Sequence, residues 1–312
     1  MPSSSNNVDV LAQPIRQNRL HKFLHKKLGI PRNIVQPFLT TFKILGSPHQ
    51  YRLRKQLAKD IMAEGKQRLF IPEEDGYRIF DPDDFQEIGP IVRYCAKVYQ
   101  ESRETFAAES LQKHPTKKFL FPILEGVEFC LHPALLQLMV SHPFLDAAIT
   151  YLGAVPRLAG ARLCWSPKNE TNLSSQLYHF DYEDLKQVKV FINIFETNED
   201  QGPFTFLPAD ISERVQGSIG RVIGRVHDEK IYEGGGRNQE VKLVGPAGSG
   251  AFVDTCRCLH YGSRLNQRDR VVLIIQFLKW HSSYLSTAPF QVPDDLPGLN
   301  LDPVQKLALG IT

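Results

Sequence analysis

The sequence predicts a mainly β fold with a helical buttress: a double-stranded β-helix, or cupin-like jelly roll, preceded by a basic helical extension. Three observations lead there. From Arg157 onward the chain runs in alternating or continuous apolar segments broken by Pro, Gly and Asn, the pattern of β-strands. Ahead of them lie segments of helical period, and helices before strands place a buttress against a β core. Within the strand region, His179-Phe180-Asp181 and an isolated His260 have the composition of a metal site that joins distant strands.

Taken in order, residues 1–14, rich in Ser and Asn, read as a flexible tail. Helical patterns follow at 17–28, 33–45 and 49–64, separated by the breakers Gly29-Ile30-Pro31 and Gly46-Ser47-Pro48. In the first, Leu20, Leu24 and Leu28 recur beside Phe23, with Lys22, Lys26 and Lys27 alongside; in the second, Ile34, Phe38, Phe42 and Leu45 form an apolar stripe. Leu69 to Asp81 suggests a short strand and turn, 84–111 a long helix, and 132–141 and 143–152 two shorter ones. The run Val271 to Leu278 reads as a buried strand with Arg270 at its head. Between Ala209 and Val241 the strand pattern lapses into a polar insert containing Gly234-Gly235-Gly236, a length that suits a lid or a surface excursion. The expected organisation is a basic extension over 1–66 and a catalytic domain over 67–312, with a lid at 210–241 and a C-terminal tail at 283–312.

A chain of 312 residues, 42% hydrophobic and 23% charged, can bury a full core. Its five cysteines are odd in number and scattered, no secretory leader is evident, and no apolar stretch approaches the ~20 residues that span a bilayer. A reducing, cytoplasmic setting is expected, with the sequons at Asn169 and Asn172 in an unmodified polar loop. The net charge of +3 hides an asymmetry: residues 1–70 hold 13 Lys or Arg against 3 Asp or Glu. Two readings of that end stand side by side. Either the helices pack their apolar faces inward and solvate their lysines, or the basic face meets something anionic, such as a membrane surface, a carrier or a charged substrate, peripherally.

Two imidazoles and one carboxylate occupy one face of an octahedral Fe(II) and leave adjacent positions for a chelating cosubstrate and for dioxygen. His179 and Asp181 are two apart, so on extended backbone both leave the same side. His260 lies far enough beyond for the chain to cross a sheet several times and return. Arg270 follows ten residues later; if buried, its guanidinium needs an anionic partner, which the distal carboxylate of 2-oxoglutarate would supply.

These residues carry a resemblance. Gln176 to Asp181, Val188 to Phe195, Gly202-Pro203-Phe204-Thr205-Phe206-Leu207-Pro208-Ala209, Phe252-Val253-Asp254, and Leu259-His260-Tyr261-Gly262-Ser263 with Arg270 behind them resemble the core of the phytanoyl-CoA dioxygenase family. The lead-in from His132 to Gly153 is also similar, so the likeness covers roughly residues 75–280. Family members often set the arginine one residue further on, and a hydroxyl two residues after the second histidine, where this chain has Gly262 followed by Ser263. The resemblance implies an Fe(II)- and 2-oxoglutarate-dependent dioxygenase with His179, Asp181 and His260 as ligands and Arg270 as cosubstrate anchor. It would use O2, release succinate and CO2, and hydroxylate a small-molecule, thioester, or lipid- or sugar-linked substrate. Related halogenases replace the carboxylate, so Asp181 favours hydroxylation, desaturation or ring chemistry.

The residues also admit rival readings. Asp254, Cys256, Cys258 and His260 alternate along one strand and could bind zinc. A β-barrel without catalysis is a non-enzymatic alternative. A nucleic-acid-directed oxygenase would draw on the basic end, although no binding motif accompanies it. Arg162 and Arg268 are substitutes for Arg270 as the anchor. Gly245 to Gly250 lacks the lysine of a phosphate loop and reads as a turn.

Overall fold

The computed structural model describes residues 23–24, 28–65, 69–113, 119–125, 132–222, 224–282 and 300–311. The tail over 1–14 and most of the helical pattern over 17–28 lie outside these residues. Pro31 and Pro48 open the first two described helices, α1 (Arg32–Gly46) and α2 (Pro48–Glu64), and Gly65, at φ 62°, closes the second in the left-handed conformation. A short strand, β1 (Tyr77–Phe80), leads to the long helix α3 (Ile88–Lys113), then β2 (Phe121–Glu125), α4 (Pro133–Met139) and α5 (His142–Leu152). These match the expected helices within a few residues.

The β region begins with β3 (Arg157–Ser166), β4 (Val188–Asn193) and β5 (Thr205–Phe206). The polar insert that follows is not a bare loop. It folds as α6 (Ala209–Ile219) and α7 (Asp228–Glu233), and its Ile211, Val215, Val222 and Ile231 form a small core with Tyr178, Phe180, Leu207, Leu259 and Tyr261. Strands β6 (Val241–Lys242), β7 (Gly250–Val253), β8 (His260–Tyr261) and β9 (Arg270–Leu278) complete the β region. Of the expected tail, 300–311 is a docked element: α8 (Pro303–Leu309), capped by Asp302, buries Leu307, Ala308 and Leu309.

Among the described residues the strands associate into two antiparallel sheets, one of six in the order β1-β7-β4-β9-β3-β2 and one of three in the order β6-β5-β8. Alternation along β9 explains its continuous apolar run. Val271, Leu273, Ile275 and Phe277 join the core beneath the helices, whereas Val272 and Ile274 belong to the cluster between the sheets. A strand buried on both faces has no polar side to show. Phe191 on β4 stacks on Phe204 beside β5, ring centroids 3.9 Å apart, and holds the two sheets face to face. Gly250, at the start of β7, has no room for a side chain: a Cβ there would stand 2.2 Å from the Phe80 ring and 2.4 Å from the carbonyl oxygen of Phe191.

The N-terminal helices are seated on this body. Arg54 of α2, 1% exposed, donates to the carbonyls of Val155, Pro156 and Leu307 at 2.9–3.2 Å and lies 4.2 Å from the Trp280 ring centre. It thereby ties α2 to both the start of β3 and the end of α8. Burial pushes its guanidinium down to about 9. Arg54→Ala should destabilise the protein by about 3 kcal/mol, because it strands three buried carbonyls and opens a cavity. Urea unfolding followed by circular dichroism checks this, and Arg54→Lys, which keeps the charge without the fork, should recover only part of the loss.

Candidate metal centre

Register places the centre. His179 and His260 exchange both backbone hydrogen bonds, N–H to O at 3.0 and 3.1 Å, so they are directly opposite residues of an antiparallel pair. Their rings consequently lie on one side, centroids 4.3 Å apart. Asp181 follows two residues after His179, its backbone N–H donating to the Thr255 carbonyl at 2.8 Å. Ligand atoms of His179, Asp181 and His260 lie within 4.8 Å of one another, and they form the one such group of His, Cys, Asp or Glu among the described residues.

Each imidazole is oriented by its own strand. Nδ1 of His179 bonds the carbonyl of Leu177, and Nδ1 of His260 that of Cys258, both at 2.9 Å. A carbonyl only accepts, so each Nδ1 carries the proton and each Nε2 lone pair is left for a metal. Burial, then the neighbouring His260, push the His179 imidazole down to about 3, and burial lowers His260 as well. Both rings are therefore neutral, the form that ligates. For Asp181, burial works against ionisation, but the Lys189 ammonium beside it holds the carboxyl well below the usual range.

The surrounding side chains explain how Asp181 keeps its orientation. Its Oδ2 accepts from Lys189 Nζ at 2.6 Å and from Gln187 Nε2 at 3.1 Å. Gln187 is fixed in turn by Thr255 Oγ1 at 2.6 Å and by Gln276 Nε2 at 2.8 Å. Lys189 and Gln187 were missed in the sequence, although a lysine inside the apolar strand Val188–Asn193 is itself a signal of a buried partner.

Arg270 opens β9 on the same face as Val272, so its guanidinium enters the space between the sheets. It is 4% exposed, and its Nη2 donates to Ser263 Oγ at 2.7 Å. Nε and Nη1 are buried and have no hydrogen-bond partner among the described residues. Burial pushes its pKa down to about 10. Arg270, Ser263 and the His179, Asp181 and His260 set line one cavity of about 320 Å³, together with Phe191, Phe204, Glu183 and Arg225. Arg225 arrives from the insert, whose Val226 pairs with Tyr178, the residue before His179.

Of the substitute anchors, Arg268 is an exposed partner of Asp200 at 2.8 Å, whereas Arg162 lines the cavity and lies 3.8 Å from Glu125. The alternating Asp254, Cys256, Cys258 and His260 do not converge on a zinc site. Asp254 accepts from the Tyr151 hydroxyl at 2.8 Å, and the Cys258 thiol, raised in pKa by burial, points to the carbonyls of Asp75 and Gly76.

No family model matches the chain, and no curated protein does. Among solved structures it is similar to EctD from S. alaskensis in its apoform, at 16% identity and TM-score 0.46 over 66% of this chain and 74% of that one. It is also similar to the non-heme monooxygenase ThoJ, at 14% identity and TM-score 0.43 over 66% and 75%, and to the alpha ketoglutarate dependent epimerase SnoN from nogalamycin biosynthesis, at 15% and 0.43 over 80% and 93%. EctD has been crystallised with Fe and with 2-oxoglutarate, and SnoN with Fe3+ and alpha ketoglutarate. All three are distant in sequence.

Removal of any one ligand should be decisive for metal binding. His179→Ala and Asp181→Ala should each weaken Mn(II) affinity by more than about 100-fold, since even outer partners of a metal site are worth ~10–100-fold. Cys258→Ala should leave it unchanged within about twofold, the cysteine being no part of the centre. Titration calorimetry under anaerobic conditions reads both.

Proposed function

We propose that the protein is a non-haem Fe(II)- and 2-oxoglutarate-dependent oxygenase on a double-stranded β-helix, of the phytanoyl-CoA dioxygenase type. It is proposed to hydroxylate an unactivated carbon of a small-molecule, thioester, or lipid- or sugar-linked substrate. The observation that carries this reading is the buried, half-satisfied Arg270 sharing a cavity with two neutral imidazoles and an ionised carboxylate. A guanidinium kept from water with two nitrogens unpartnered costs several kcal/mol, and an anion held beside the metal repays it.

The residues fit the group. His179 and His260 offer Nε2, Asp181 offers its carboxylate, and the donor set of two imidazoles and one carboxylate suits iron with positions left open. When bound, iron with 2-oxoglutarate and dioxygen would supply the oxidant for attack on an inert C–H bond, leaving succinate and CO2. Lys189 and Gln187, bound to Asp181 Oδ2, fix the orientation of the carboxylate beside the two imidazoles. Arg270, steadied by Ser263, would grip the far carboxylate of 2-oxoglutarate, so Ser263 takes the place of the hydroxyl that the family carries one residue earlier. Phe191 and Phe204 shut water out from one side of the cavity, and the insert at 210–241, through Arg225, borders it from another in the position of a lid.

Anaerobic addition of Fe(II) and 2-oxoglutarate to the purified protein should produce the visible absorption of the chelate, and none should form in His179→Ala. Arg270→Ala should raise the 2-oxoglutarate concentration needed for half-maximal colour by about 10- to 100-fold, the loss expected for a charge-assisted bidentate contact, with Mn(II) affinity retained. An unaltered 2-oxoglutarate requirement in Arg270→Ala would move the anchor elsewhere, and absence of the chelate in the unaltered protein would defeat the assignment.

A further inference from the structure

Helix α1 has two apolar faces, and the fold uses only one. Val35, Gln36 and Leu39 are buried at 2%, 1% and 7% exposure, with Gln36 Nε2 donating to the Tyr182 carbonyl at 3.2 Å and Lys43 donating to the Ser282 carbonyl. The stripe that one of the two readings packs inward, Ile34, Phe38, Phe42 and Leu45, faces out, at 58%, 55%, 58% and 70% exposure. The two phenyl rings touch edge to face, centroids 4.8 Å apart, so the stripe is one continuous patch. Phe23 and Leu28, just before the helix, are exposed as well. A contiguous run of large apolar side chains in water marks an interaction surface.

Charge selects the occupant. No Asp or Glu occurs between Asp9 and Asp60, while the same stretch holds eleven Lys or Arg, and Arg52, Lys55 and Lys59 of α2 are exposed. A second copy would bring an equally cationic end against this one, which repulsion opposes. An apolar helical stripe within a carboxylate-free basic stretch is the composition that lies in a bilayer interface, rings among the acyl chains and lysines at anionic headgroups. We propose that this face of α1 docks on an anionic phospholipid surface, with Phe38 and Phe42 as the inserting side chains. Docking is thereby assigned to the apolar face of α1, with the basic residues in a supporting role.

The test is cosedimentation of the full-length protein with sucrose-loaded vesicles of phosphatidylcholine, alone or with phosphatidylglycerol. The protein should pellet with the phosphatidylglycerol vesicles at low salt and stay in solution with phosphatidylcholine alone. The double substitution Phe38→Ser/Phe42→Ser should lower the partition coefficient by more than about tenfold, with the melting temperature unchanged within about 2 °C because neither ring is in the core. Phe38→Trp should show a blue-shifted emission on vesicle addition. Failure of the unaltered protein to pellet overturns the proposal, as does pelleting of the double variant to the same extent, which would leave the lysines acting alone. A dimer that the double variant converts to monomer in sedimentation velocity would give the face to a second copy. A melting temperature lowered by more than about 5 °C would show the rings covered by the protein's own chain.

Discussion

The centre depends on one backbone pairing, the reciprocal hydrogen bonds between His179 and His260. Side chains opposite one another in an antiparallel ladder share a face by construction, so a single register sets the two imidazoles side by side. A slip of one residue on either strand would turn one ring to the other face and abolish the site. The surrounding fold guards against that slip. On one flank Leu207 N–H bonds the Leu259 carbonyl, and on the other Tyr178 pairs reciprocally with Val226 of the insert. Tyr178, Leu259 and Tyr261 are then locked into the small core made by α6 and α7. The insert is thus part of what holds the metal ligands in register, whatever else it does at the cavity mouth.

A second constraint runs along β9. Because alternate residues meet the helices and the smaller sheet, Arg270 shares its parity with Val272 and Ile274 and has to enter the space between the sheets. The same parity rule places Lys189 and Phe191 of β4 on that side, which is why a charged residue survives in an apolar strand and finds Asp181. Polar groups are thus distributed by strand alternation around one cavity, lined by His179, Asp181 and His260 and by Arg270.

Much of this is legible in the sequence. His179, Asp181, His260 and Arg270 carry chemistry that requires their residue types, and their order along strands of period two puts them within reach of one another. Lengths of α2, α3 and α5 followed from apolar periodicity and from Pro and Gly at their ends. What could not be read was direction. In α1 both Val35-Leu39 and Ile34-Phe38-Phe42-Leu45 repeat with helical spacing, and nothing local decides which stripe the body accepts. The choice comes from tertiary contacts, Gln36 to Tyr182 and Lys43 to Ser282, that join residues far apart in the chain. The insert was opaque for a related reason. Its helices are short and glycine-broken, and they exist because Ile211, Val215 and Ile231 find a surface built by other segments. Ser263 as the partner of Arg270 escaped because a left-handed backbone at φ 55° turns it into the cavity, a local geometry that residue type does not announce.

Two buried arginines make the functional argument by contrast. Arg54 and Arg270 are both almost fully enclosed, and burial lowers the pKa of each. Arg54 places both terminal nitrogens on carbonyls and its plane against Trp280, so its charge is dispersed over fixed dipoles and an aromatic face. Among the described residues only its Nε lacks a partner, and with Nη1 and Nη2 both seated on carbonyls the residue acts as a structural clamp. Arg270 has one hydroxyl, and two of its nitrogens open no hydrogen bond within the described residues. A fold that merely needed to fill that volume would be better served by an apolar side chain, since an unsatisfied buried cation opposes folding. The retained cost accords with the proposed anion, which would enter the cavity that Arg270 shares with His179, Asp181 and His260.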